Sequence, residues 1–317
     1  MSDKKKILSP SFFILILITL GLGILSIFTG VYDINENIRM VFITRIPRTL
    51  ALMLTGLAMT MSGLVMQLLT QNKFVEPTTT GTIQWAGLGI ITSFIIFKAP
   101  SLFEKMTFAI IFSFIGSMIF FLFLRKIKLK SSLIVPIVGI MFGAVISSIS
   151  NFISLVFKQS QSLESYFQGS FSSVEKGRYE YLFLIVIISI LIFILADRLT
   201  IVGLGKDVST NLGLNYNKLL LIGTGLISLC VGIVAAVIGN LPFLGLIVPN
   251  LVSIFRGDDL RSNLLWVGLV GMSTITLADI VSRTIISPFE LPVSLILGSF
   301  GSIIFIGLIL YKRRQNG

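Results

Sequence analysis

The chain is 317 residues long, with 54 % apolar and 12 % charged residues, a net charge of +11 and a mean hydropathy of +0.97. A soluble globule carries about 25 % charged residues to solvate its surface, so this composition excludes one, and it excludes disordered, coiled-coil and collagenous chains as well. A single cysteine, Cys230, excludes a disulfide scaffold, and the lack of histidine removes the usual imidazole base and the commonest zinc and haem ligand.

What remains is an all-α polytopic membrane protein. Nine stretches of at least 16 residues carry no charged side chain. A helix crosses the hydrocarbon with about 20 apolar residues, and the stretch Leu219–Phe255, at 37 residues, is too long for one helix. Asn240-Leu241-Pro242 interrupts it, which leaves a full span and a short broken one. Ten spans result, at about 11–29, 49–70, 78–97, 106–124, 132–157, 181–197, 218–239, 243–256, 262–284 and 291–311, in one transmembrane domain over 1–317. A β-barrel is excluded because the apolar stretches are continuous and far exceed strand length. The first span is expected to be retained, since its apolar part, Phe12–Thr29, exceeds the apolar region of a signal peptide and no Ala-x-Ala site follows.

Lys and Arg near span ends set the orientation. With the N-terminus in the cytoplasm, sixteen basic residues fall inside and nine outside, and both termini are cytoplasmic. The inner set includes Lys4, Lys5, Lys6, the cluster Arg125, Lys126, Lys128 and Lys130, and Lys312, Arg313 and Arg314. The positive charge is therefore topological, and no nucleic-acid partner is implied.

Arg45-Ile46-Pro47-Arg48 stands at the outer mouth of the second span, with Pro47 fitting a first helical turn. Two cations there run against the positive-inside trend, and they serve either an anionic partner or interfacial snorkelling. Gln71 to Pro77 reads as a tight cytoplasmic turn. In the fifth span Gly139, Gly143 and Ser147 fall four apart, and Gly298 and Ser302 repeat the spacing in the tenth. Such small faces serve internal packing, a subunit interface or a pore lining. The inner loop Gly203–Leu214 has helical content: Asp207 or Ser209 is placed to cap a short helix, Gly213 to close it, and Leu212 and Leu214 are apolar in a solvent-side position. That pattern serves as a connector or as a docking surface for a second protein. Only Asp279 sits clearly within a span. Arg283 follows at i+4, on the same helix face, so the pair is self-satisfied or marks a cation site. No second acidic partner and no Walker-type or Gly-x-Ser-x-Gly motif is present, which argues against an ion-driven carrier and against an enzyme.

In order along the chain, these segments resemble the permease subunits of type II ABC importers for iron–siderophore complexes, haem and cobalamin, the FecCD type. The matching stretches are Arg45-Ile-Pro-Arg48, Gly56-x5-Ser62-Gly63-x3-Gln67, Asn72-x3-Glu76-Pro77-x3-Gly81, Leu204-Gly205 with Leu212-Gly213-Leu214, Gly245-Leu246-Ile247-Val248-Pro249, Asp279-x3-Arg283 and Glu290-Leu291-Pro292-Val293. They span about 270 residues in register. The resemblance implies an inverted-repeat permease fold that works as a dimer with a second copy or paralogue, two cytoplasmic ATPase subunits and an extracytoplasmic substrate-binding (lipo)protein. It implies that Arg45, Arg48 and Arg283 dock that protein's glutamates. Gly205, Asp207, Leu212, Gly213 and Leu214 would lie in the loop that couples to the ATPase. The fifth and tenth spans, with Gly139, Gly143, Ser147, Gly298 and Ser302, would line the path at the dimer interface. No cofactor or metal is expected on this chain, ATP being used by the partner, and the location implied is a bacterial cytoplasmic membrane.

Two positions depart from the family pattern: Asn250 stands where histidine is frequent after the proline, and Lys73 where proline is. Both variants point to ferric siderophore as cargo, with haem or cobalamin as the alternative cargo and an ion-coupled carrier as the alternative mechanism.

Overall fold

A computed structural model describes residues 9–30, 38–126, 134–257 and 260–315. The inner cations Lys4, Lys5, Lys6, Lys128 and Lys130, and the side chains of Lys312, Arg313 and Arg314, lie outside what it describes. No strand occurs among the described residues. The helices are α1 Pro10–Phe28, α2 Ile46–Leu69, α3 Thr82–Ile96, α4 Leu102–Leu124, α5 Ile134–Val156, α6 Ser160–Gln168, α7 Leu184–Gly203, α8 Lys206–Asn211, α9 Tyr216–Val237, α10 Leu244–Arg256, α11 Leu260–Thr284 and α12 Val293–Gln315. Seven are long and apolar enough to cross a membrane, counting the turns that lead into α2 and α7, and three shorter apolar helices occupy the remaining predicted positions.

Two helices form the centre. On α2, Ala51, Leu52, Ala58, Met59, Val65 and Met66 are fully buried, and α9 buries Ile227, Cys230, Val231 and Val234 as completely. They run antiparallel, since Gly223 near the start of α9 lies against Leu69 at the end of α2. Helices packed in lipid gain from close backbone approach rather than from hydrophobicity, and glycine supplies that approach here. A Cβ at Gly56 would stand 2.7 Å from the Gly271 carbonyl of α11, and one at Gly63 would overlap the Gly245 carbonyl of α10. The periphery is reversed: Leu17 on α1 and Phe152 on α5 are each 68 % exposed, an apolar outer surface suited to lipid. The first span is part of this bundle, with Thr19 hydrogen-bonded to Ser273 at 2.8 Å and Phe12 against Trp266.

Both broken regions expected at the interrupted span and the 71–77 turn turn inward. At 15 and 13 residues, α3 and α10 are about 22 and 20 Å long at 1.5 Å per residue, well short of the ~30 Å hydrocarbon. Segment 70–81 fills the shortfall. It is no exposed turn: Val75, Glu76 and Thr80 are fully buried. A loop can be buried only where its polar groups find partners. Asn72 accepts the Phe74 N–H at 2.9 Å, the Thr79 hydroxyl accepts the Glu76 N–H at 2.9 Å, and Asn250 of α10 donates to the Lys73 carbonyl at 2.7 Å.

Other local expectations also change. Pro47 lies in the first turn of α2, as expected, but that helix is not a free start. Helical structure runs from Ile38 through a π-helical turn at Val41–Arg45 into α2. The Ile46 N–H already reaches back five residues, to the Val41 carbonyl, so the ladder is shifted just where proline lacks its own donor. The connection between the predicted fifth and sixth spans contains α6, whose Leu163 and Tyr166 are buried, with the Tyr166 hydroxyl donating to the Ile83 carbonyl at 2.7 Å.

Candidate functional site

At the end of the bundle where α2 begins, segments from opposite ends of the sequence bring two acids and three arginines together. Asp279, on α11, is fully buried. Its Oδ1 accepts Arg48 Nη2 at 2.7 Å and Nε at 3.2 Å, and its Oδ2 pairs with Arg283 Nη2 at 2.7 Å. Glu290 takes both bonds of Arg48 Nη1, at 2.8 and 3.0 Å. Arg283 also donates to the Ser26 and Thr29 carbonyls of the α1 end, at 3.1 and 2.7 Å, and to the Ser26 hydroxyl at 2.8 Å. Arg45 donates to the Ile27 carbonyl at 3.1 Å. A buried charge is tolerated only when paired and hydrogen-bonded, and Asp279 meets that condition through two guanidinium groups. A cavity of about 460 Å³ opens over Arg45, Arg48, Glu290, Phe171 and Val174.

The expected ion pair of Asp279 and Arg283 is thus present, and it has gained Arg48. Arg283 also lines this cavity, but with 4 % of its side chain exposed it sits behind Arg48, not at the rim.

A second and larger cavity, about 630 Å³, lies between the α5 and α12 ends nearest this cluster and is closed from one side by α6. Its lining is mainly apolar, with Leu155, Leu163 and Phe167, and Asn151, Glu164 and Ser294 set polar groups into it. The small-residue faces point elsewhere. A Cβ on Gly139 would overlap the Thr79 carbonyl, and Gly143 packs on Gly81 and Gln84, so these two serve packing within the chain. Ser147, Gly298 and Ser302 are half-buried, and the nearest atom to a Cβ on Gly298 is 3.9 Å away.

At the opposite end of the bundle, α8 is the predicted short helix. Neither Asp207 nor Ser209 caps it; its N-cap is Gly205, at φ 106°. Ser209 is buried and ties the helix down, donating to the Ile201 and Gly205 carbonyls at 3.0 and 2.7 Å. Gly213, at φ 78°, closes the C-terminus, with its N–H on the Thr210 carbonyl and the Leu214 N–H on that of Ser209. Val208 and Leu212, a helical turn apart, are exposed by 41 and 60 %, and Leu204, at the end of α7 before the Gly205 break, by 62 %, so the loop presents three apolar side chains. Leu214 turns the other way, into the core.

Deep in the chain, Glu76 links the two broken regions. Its Oε1 accepts the Phe243 N–H at 2.7 Å and the Thr78 hydroxyl, and its carboxylate faces the Gly245 and Leu246 amides in the first turn of α10. A helix N-terminus favours an anion there. Phe243 itself holds φ 67°, a conformation a bulky residue rarely adopts.

With this geometry in place, the comparisons decide the family. The FecCD transport family matches residues 11–312. The chain belongs to that family. Among relatives of this FecCD chain, a petrobactin import system permease protein of Bacillus anthracis is 64 % identical, over 99 % of the chain and 95 % of its own length. A petrobactin import permease of Bacillus subtilis is 40 % identical over 95 and 97 %, and a ferric-anguibactin permease of Vibrio anguillarum 36 % over 84 and 85 %. A solved metal-chelate type ABC transporter in an inward-facing conformation superimposes with a TM-score of 0.81 at 24 % identity, over 94 % of this chain and 98 % of that one; this likeness concerns the fold. These relatives are membrane permeases of transport systems, so this FecCD protein is a transport component and not an enzyme.

Sequence reading missed three features of this FecCD chain. Glu290 was part of a motif with no role given, yet it closes the arginine cluster. Val208 and Leu204 add to the exposed apolar surface beside Leu212, and for Val208 the i, i+4 spacing with Leu212 was the available signal. Glu76 is an embedded acid whose burial depends on a partner 167 positions away.

Proposed function

We propose that the chain is the membrane-spanning permease subunit of an ATP-binding-cassette importer that carries ferric siderophore inward across a bacterial cytoplasmic membrane. In this reading it crosses the bilayer ten times, with both termini inside, and pairs with a second permease. The observation that carries the reading is the 64 % identity to a petrobactin permease along nearly the whole chain. The two ends of the bundle supply the working surfaces. Outside, Arg45 and Arg48 at the rim of the 460 Å³ cavity receive the acidic lobes of a cargo-binding protein, with Arg283 held behind them. Each such ion pair contributes about 0–1 kcal/mol, so several act together and weaken with salt. Inside, the exposed Leu204, Val208 and Leu212 seat in a groove of an ATPase subunit in the helix-in-groove manner. The mainly apolar cavity between α5 and α12 is the outer mouth of the path, completed by the second permease. ATP binding moves α8, and access alternates between the two sides.

The test is uptake of iron-loaded siderophores by a strain deleted for the chain and complemented with variants. The unaltered chain restores uptake of ferric petrobactin. The double reversal Arg45→Glu with Arg48→Glu inserts normally and abolishes binding-protein docking and uptake. Normal uptake by that double variant overturns the docking assignment, and unimpaired petrobactin uptake by the deletion strain overturns the cargo.

A further inference from the structure

The outer cluster holds one acid that is replaceable and one that is not. Asp279 is fully buried and gripped by two arginines. Glu290 has 30 % of its side chain exposed, sits at the cavity rim, and among the described residues takes both its hydrogen bonds from Arg48. A carboxylate arriving through the cavity meets Arg48 with its outer nitrogen already occupied by another carboxylate. Exchange of one for the other keeps the bond pattern and the local charge.

The chain leading away from Glu290 runs to the mouth. Leu291 donates to the Ser282 carbonyl at 3.1 Å, Pro292 and Ser294 line the 630 Å³ cavity, and the Ser294 N–H holds the Gly169 carbonyl, just past α6, at 3.2 Å. Three residues therefore separate the contested carboxylate from the clasp beside α6.

We infer that Glu290 is a displaceable internal stand-in for the docking protein's carboxylate, and that its expulsion from Arg48 is passed along residues 290–294 to loosen the outer mouth. This inference rests on the docking reading given above. It makes docking and opening one event: the resting chain keeps its own acid on Arg48, and only a partner offering a competing acid releases the strap. A self-occupied site lowers apparent affinity by the fraction of time it is blocked, about tenfold if Glu290 is in place nine-tenths of the time.

The experiment uses the full chain with its ATPase in lipid nanodiscs, and as probe the cell's ferric-petrobactin-binding protein prepared without its lipid. Glu290→Ala should tighten docking about tenfold. Glu175→Ala, which removes the same charge beside Val174 on the same face, should change it less than about threefold. A thiol at Leu163→Cys, buried against the mouth cavity, reports the second half. It should react slowly in the resting chain, faster once the binding protein docks, and fast without any partner when Glu290→Ala is added. Glu290→Gln, which keeps a hydrogen bond to Arg48, should give the same directions with smaller size and guards against misfolding. If Glu290→Ala docks no more tightly than Glu175→Ala, or leaves the Leu163→Cys thiol as slow as before, the inference is wrong while docking through Arg48 stands. If no docking occurs, or the Arg45→Glu with Arg48→Glu chain docks as well as the unaltered one, the docking reading fails first.

Discussion

Replacing Asp279 by alanine leaves Arg48 and Arg283 facing each other in a buried site, with 12 and 4 % of their side chains exposed. Removing one partner of a buried ion pair costs about 3–5 kcal/mol, because an uncompensated charge remains. The surface pair of Arg261 and Asp197 is the natural control. It is equally short at 2.6 Å, but its side chains are 57 and 62 % exposed, and such a pair contributes about 0–1 kcal/mol. The chain carries its own reporter, since Cys230 is its one cysteine and is fully buried. A thiol-reactive dye therefore follows unfolding in detergent. At about 2–4 °C per kcal/mol for a large domain, Asp279→Ala should lower the apparent Tm by roughly 6–20 °C, and Asp197→Ala by no more than about 4 °C. Equal shifts for the two variants would mean that the outer cluster is solvated and is not the buried clamp described here.

Leu212→Asp should uncouple ATP hydrolysis from import while the chain stays folded, whereas Leu214→Asp, which places a charge in the core, should lower the Tm instead; hydrolysis and uptake measured together separate the two. Glu76→Gln keeps an acceptor for the Phe243 N–H and should shift the Cys230 melting curve little, while Glu76→Ala orphans that donor at a cost of about 1–3 kcal/mol. Gly63→Ala drives a methyl into the Gly245 carbonyl and should cost about 1–3 kcal/mol or more, read as lost folded yield. Gly225→Ala, with its nearest atom 3.9 Å from the new Cβ, should be neutral or mildly stabilising in its helix.

Much of this was legible in the sequence. The spans could be counted because lipid demands long apolar runs, and the loop before α9 showed its closing Gly213 and its exposed Leu212, though not its N-cap. The pairing of Asp279 with Arg283 was legible because it is local to one helix. What escaped were contacts between distant segments. Arg48 finds Asp279 and Glu290 across 231 and 242 positions, and no local pattern announces that an arginine at a span mouth is already neutralised from within. Spacing put Gly139 and Gly143 on one face but gave that face no direction; it turned toward Thr79 and Gly81. Segment 71–77 looked like a surface turn because it is polar. Its burial follows from α3 and α10 being too short to span, which is visible only once their ends are placed.

The central claim is that this chain is a passive gate driven from inside and loaded from outside. It is tested most directly by radio-iron accumulation in proteoliposomes. With the ATPase enclosed, the ferric-siderophore-binding protein outside and ATP inside, ferric siderophore should accumulate against its gradient, and omission of any one of these should abolish it. Accumulation by the purified chain alone, driven by a proton or sodium gradient without nucleotide, would contradict the account.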